Sequence, residues 1–90
     1  MREEKFTIVN EQGLHARPAG QIAKESRNYK SKITLTIPET GKKSDAKSLM
    51  GIMTLKAKKG TVITITADGE DEDAVIERFG ELIKTGFGED

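Results

Sequence analysis

The sequence predicts an α+β domain: a four-stranded antiparallel sheet with three helices on one face, in the order β-α-β-β-α-β-α. Three observations predict it. The stretches around Phe6, from Ile33 to Ile37 and from Thr61 to Ala67 alternate apolar and polar residues, the period of a half-buried strand. The segments beginning near Ala16, Ser48 and Asp71 place apolar residues three and four apart, the period of a helix with one buried stripe. One apolar face per strand and one stripe per helix leave a single interior between two layers.

Each element has its own signal. Lys5 to Val9 alternates, with Phe6 and Ile8 on one face, and Asn10 to Gly13 then turns the chain. From Ala16 to about Arg27, Ala19, Ile22, Ala23 and Ser26 follow helical spacing. Ile33, Leu35 and Ile37 alternate with threonines in a second strand, which Pro38 to Gly41 ends. Lys43 to Ala46 is a short polar third strand. Ser48 to Leu55 predicts a short helix with Ser48 as its N-cap. Thr61 to Ala67 gives the fourth strand, and Asp68-Gly69 closes it. The last helix opens on Asp71, Glu72 and Asp73 and carries Val75, Phe79, Leu82 and Ile83 on one face. Lys84 stands in its last turn, suiting the helix dipole, and Gly86 ends it. The uncovered sheet face is expected to expose the threonines of strands two and four to water.

Ninety residues hold one core, so the chain reads as a single domain over 1–90. There is no cysteine and one histidine, which excludes disulfides, thiol chemistry and a histidine-rich zinc site. No apolar run approaches the roughly 18 residues of a membrane span, and MREEKFTIVN is no signal peptide, so a cytoplasmic location is expected. The net charge of zero hides an asymmetry. Residues 1–60 hold 13 Lys and Arg against 6 Asp and Glu, while residues 61–90 hold 2 against 9. Either the two parts attract each other in the fold, or the first presents a basic docking face to an acidic partner. Nucleic acid is not the expected partner: one tyrosine and three phenylalanines make no stacking platform, and the charge is balanced.

The chemistry concentrates in GLHARP, residues 13–18. Gly13 allows a sharp turn, and Pro18 suits the first turn of a helix, having no amide hydrogen to leave unpaired there. His15 is thereby placed at or beside the N-cap, where the first-turn amides and the positive end of the dipole form an anion site. Arg17 adds a guanidinium that binds phosphate oxygens in bidentate fashion. A neutral imidazole nitrogen beside such a cradle can accept a phosphoryl group and hold it. A histidine in this place can equally be an ordinary helix cap, with Arg17 merely exposed.

GLHARPAGQIAKESR, then KSLMGIMTL, then GTVITITADGEDEDA together resemble the HPr family, the histidine-containing phosphocarriers of the bacterial phosphoenolpyruvate-dependent sugar phosphotransferase system. The resemblance runs from about Phe6 to Phe87. It implies an open-faced β-sandwich, the architecture already read from the periodicities. It further implies that His15 takes a phosphoryl group on Nδ1 from phosphorylated enzyme I and passes it to IIA domains of sugar permeases, with Arg17 steadying the group. The protein is then a carrier and not an independent catalyst. It needs no metal or organic cofactor, does not insert into a membrane, and acts as a monomer.

On the short second helix, Leu49, Met50 and Met53 suit a docking patch, since methionines adapt to differently shaped partners, while Ile52 points inward. All four could instead be core; the resemblance, which places this helix beside the active histidine, favours docking. Lys24 and Arg27 share a helical face with Arg17, and Ala16 and Gly20 keep that face low enough for close approach. Ser48 caps its helix. In many relatives the matching serine is also phosphorylated by a dedicated HPr kinase/phosphorylase, and phosphate there would put charge inside the apolar patch. The tail KTGFGED resembles the nitrogen-related paralogue, whereas KSLMGIM looks like the sugar branch. A nitrogen-branch or mainly regulatory paralogue, signalling through its phosphorylation state, is therefore the alternative.

Overall fold

The computed structural model describes residues 1–88; Glu89 and Asp90, the end of the tail motif, lie outside them. The elements are β1 (Arg2–Thr7), α1 (Ala16–Ser26), β2 (Lys32–Ile37), β3 (Lys42–Asp45), α2 (Leu49–Thr54), β4 (Val62–Asp68) and α3 (Glu72–Lys84), followed by a short 3-10 turn, Gly86–Gly88. The predicted order and the four-stranded antiparallel sheet with three helices are what the chain adopts.

The strands lie in the order β1-β4-β2-β3, so β2 and β4 are central and have neighbours on both sides. These two strands supply the alternating apolar side chains Ile33, Leu35, Ile37, Ile63, Ile65 and Ala67, all buried beneath the helices. Ala19, Ile22 and Ala23 of α1 and Val75, Phe79, Leu82 and Ile83 of α3 close the interior from above. Gly80 lies where β1 meets α3: a Cβ there would stand 2.8 Å from the Phe6 ring, so glycine lets the ring lie against the helix. Gly86, at φ +66, ends α3 in the left-handed conformation that most side chains avoid.

Four sequence expectations need correction. β1 begins at Arg2 rather than Lys5 and ends at Thr7 rather than Val9. Its charged first residues pair in register with β4, from Arg2 opposite Ala67 to Thr7 opposite Val62, a long-range pairing that no local pattern encodes. β3 spans Lys42–Asp45 rather than Lys43–Ala46, because its register against β2 starts at Ile37 opposite Lys42. β4 likewise starts and ends one residue later than Thr61 to Ala67. Finally, the threonines of β2 and β4 are not exposed: Thr34, Thr36 and Thr66 are half-buried and Thr64 is only 6% exposed. Thr64 sits in the middle strand between Lys5 and Thr36, and such directly opposed neighbours shield one another even on the open face.

Candidate functional site

The Gly13–Pro18 stretch leaves the sheet after β1 and enters α1 with His15 as the N-cap residue, at φ −76 and ψ −173. The turn is held on both sides. The Gly13 N–H donates to the Asn10 carbonyl at 3.1 Å, and the Asn10 side-chain amide donates to the Gly13 carbonyl at 2.7 Å. The Leu14 N–H donates to the Ala57 carbonyl at 2.8 Å, tying the turn to the loop between α2 and β4. Gly13 has φ +63, and a Cβ there would fall 2.3 Å from the Ala57 oxygen. Backbone conformation and close approach both require glycine at that point.

The first bond of α1 runs from the Ala19 N–H to the His15 carbonyl at 3.0 Å. Ala16 and Arg17 therefore bring amides that precede the helical ladder, and Pro18, in the same turn, has no hydrogen to leave unsatisfied. The His15 side chain does not cap these amides. Its ring is half-buried, and the side chain of Arg17 beside it is exposed. An imidazole and a guanidinium thus flank a helix start whose orphan donors suit an anion.

The remaining predicted residues fall on two elements that pack together, α1 and α2. On α1, Ala16, Lys24 and Arg27 are exposed and Gly20 is half-buried. A Cβ on Gly20 would meet nothing within 4 Å, so nothing inside the chain demands glycine there. The Arg27 guanidinium reaches the Lys47 carbonyl at a long 3.5 Å, bridging α1 to the segment before α2. On α2, Ile52 is fully buried while Met50 is 75% exposed and Leu49 and Met53 are each 40% exposed. The division of this helix into one inward and three outward apolar residues is as the sequence predicts. Ser48 is its N-cap: the Gly51 N–H donates to Ser48 Oγ at 3.0 Å.

A cavity of about 450 Å³ lies elsewhere, between β1 and α3, lined among others by Arg2, Phe6, Ile76, Gly80 and Lys84. It includes none of the residues just described. Among the described residues no cluster of His, Asp and Glu could hold a metal ion, and no helix is long and apolar enough to cross a membrane.

With this geometry in place, comparison with known proteins is decisive. The family model described as PTS HPr component phosphorylation site matches residues 2–85. The chain belongs to the HPr family. It is a phosphocarrier of the phosphotransferase system. It is 44% identical to the phosphocarrier protein HPr of Haemophilus influenzae over 85 residues, covering 94% of this chain and 98% of that one. With the HPr of Xylella fastidiosa the identity is 39%, over 100% of this chain and 99% of the relative. A multiphosphoryl transfer protein of Salmonella typhimurium is 38% identical over 94% of this chain, which spans 23% of that longer protein. The structure of an HPr from Thermoanaerobacter tengcongensis superposes with a TM-score of 0.92 at 39% identity, covering 100% of this chain and 99% of that one.

The sequence pattern does not reveal the role of the loop from Lys56 to Gly60, whose backbone braces the histidine turn through Ala57. The signal was present in Gly13, since a glycine can mark close backbone approach as well as a turn. Nothing local named the segment that approaches it.

Proposed function

We propose that His15 accepts a phosphoryl group from phosphorylated enzyme I and hands it to IIA domains of sugar permeases, making the chain a carrier and not a catalyst with its own turnover. In the first transfer the bond from phosphorus to the donor breaks as one to the imidazole nitrogen of His15 forms; in the second that phosphorus–nitrogen bond breaks as one from phosphorus to the acceptor forms. The observation that carries the reading is the N-cap geometry: His15 stands at the start of α1 without capping it, next to the Ala16 and Arg17 amides that precede the helical ladder. Those amides and the Arg17 guanidinium stabilise the added negative charge.

The docking face in this reading comprises Ala16, Gly20, Lys24 and Arg27 on α1 with Leu49, Met50 and Met53 on α2. The open space over Gly20 and the exposure of the three apolar side chains support it. Ser48 is a regulatory site on the same face, where HPr kinase/phosphorylase adds phosphate; its exposure and its position immediately before Leu49 and Met50 support that role. The chain acts in the cytoplasm, as a monomer, with residues 1–90 forming one HPr-like domain.

Incubation with phosphoenolpyruvate and enzyme I, followed by mass measurement, tests the central claim. The wild type gains one acid-labile phosphoryl group, and His15→Ala gains none while keeping its helical circular dichroism. An alanine variant that labels at the wild-type rate would overturn the assignment.

A further inference from the structure

We propose that Lys56 and Lys58, on the loop between α2 and β4, form a cationic arm beside His15 that docks a carboxylate-bearing surface of the phosphoryl-donor protein. The inference rests on the carrier reading above and adds to it a determinant of partner choice on a separate segment from Arg17.

Placement comes first. The Leu14 N–H bond to the Ala57 carbonyl brings this loop against the histidine turn. A Cβ on Gly13 would stand 2.5 Å from the Lys58 Cα, two residues ahead of His15. Leu55 and Ala57 are buried and anchor the loop, while Lys56 and Lys58 alternate with them and are exposed. The Lys58 backbone is fixed in its turn: its N–H donates to Thr61 Oγ1 at 3.1 Å, and its carbonyl accepts the Thr61 N–H at 2.9 Å. The arm therefore starts from a rigid base.

Conformation supplies a second observation. Lys56 has φ +52, directly after the C-cap residue of α2, Leu55. That position ordinarily takes glycine, because a Cβ is strained there. Phe87 shares this conformation at φ +59, but its ring is buried in the core, where packing offsets the strain. Lys56 is exposed, so no core packing offsets the strain; the end of α2 favours a cation there, and a role for the side chain outside the folded chain adds a second reason for lysine over glycine.

Charge identifies the occupant. Arg2, Lys30, Lys59 and Arg78 each meet a carboxylate within 3.2 Å. Among the described residues Lys56 and Lys58 make no ion pair, as is also true of Arg17, Lys24 and seven further Lys and Arg; what sets Lys56 and Lys58 apart is their place on the loop held against the histidine turn. Two acids of the same half of the chain are engaged elsewhere, Glu11 by Lys59 at 2.6 Å and Glu25 by Arg78 at 2.7 Å. The positive charge left around His15 is complementary to an acidic protein surface and would steer its approach.

Steady-state transfer from enzyme I at several salt concentrations tests this, with Lys58→Gln, Lys56→Gly, the double variant and Lys43→Gln on β3 as a control. Each loop substitution should raise KM for the carrier about two- to fivefold with kcat unchanged, and the double variant should lose part of the salt dependence. Lys56→Gly should in addition melt at a higher temperature than wild type, so weaker docking cannot be ascribed to unfolding. Wild-type KM and salt dependence in the double variant would overturn the proposal, as would an equal KM rise in Lys43→Gln or a fall in kcat alone. Failure of the wild type to take label from enzyme I would instead sink the carrier reading, and this inference with it.

Discussion

The Asp71 carboxylate accepts the backbone N–H of Ser31 at 2.9 Å and takes the Ser31 hydroxyl on the same oxygen, while its other oxygen accepts the Lys30 N–H at 2.7 Å. One side chain at the start of α3 thereby fastens the turn that leads from α1 into β2. Gly69 permits the approach, since a Cβ there would stand 2.6 Å from both the Ser31 Cα and its hydroxyl oxygen.

This clip predicts a pH dependence. The Ser31 hydroxyl, and after it the Lys30 amide, hold the Asp71 carboxyl below the usual carboxylate range. Folding thus favours the ionised form: the contribution is complete above about pH 4 and is lost as pH falls through the lower folded value. Asp71→Asn should melt below wild type at pH 7, and the gap should narrow on acidification below about pH 4. A gap that stays constant down to pH 2 would mean that ionisation of Asp71 contributes nothing.

Arg17→Ala should still be labelled by enzyme I but should transfer more slowly. The substitution removes a charge-assisted contact worth about 1.5–3 kcal/mol, or about ten- to a hundredfold in rate, and leaves the helix amides in place. The side chain is exposed and makes no ion pair among the described residues, so the melting temperature should hold. Rapid-quench transfer kinetics check this, and equal rates for the two proteins would count against the role.

Most of the architecture was legible because periodicity reports burial directly. The alternation of Ile33, Leu35 and Ile37 and the helical spacing of Val75, Phe79 and Leu82 each mark one buried face. What escaped was set by distant partners. Arg2, Glu3 and Glu4 carry no apolar signal, and they form a strand because β4 lies beside them. Thr64 is buried by its neighbours on adjacent strands. At the site, Gly13, His15, Arg17 and Pro18 are consecutive enough for local rules to place them. The Ala57 brace comes from a segment more than forty residues away, and the left-handed Lys56 violates a local preference, so neither could be read.

Two substitutions on α2 separate docking from packing. Met50→Glu changes a side chain that is 75% exposed and should alter stability by no more than about 0.5 kcal/mol while weakening association with enzyme I. Ile52→Ala, two residues on, empties a fully buried site and should cost about 2–5 kcal/mol. Denaturant melts and binding isotherms on both proteins distinguish the effects. A large loss of stability in Met50→Glu would remove that residue from the docking face.

Ser48 yields a test in which two effects oppose each other on one variant. Its hydroxyl accepts the Gly51 N–H at 3.0 Å, so loss of the cap in Ser48→Ala should cost about 1 kcal/mol. Aspartate is itself a good N-cap and its charge complements the start of a helix, so Ser48→Asp should melt at or slightly above wild type. The same carboxylate stands beside exposed Leu49 and Met50 and must lose water when a partner covers them. Transfer from enzyme I should therefore slow even as the protein becomes no less stable. Phosphoserine carries more charge than aspartate, so enzymatic phosphorylation of the wild type should slow transfer further than the substitution does. Thermal melting and transfer kinetics on Ser48→Ala and Ser48→Asp supply both readouts. Wild-type transfer by a Ser48→Asp protein that melts at or above wild type would leave Ser48 as a helix cap alone.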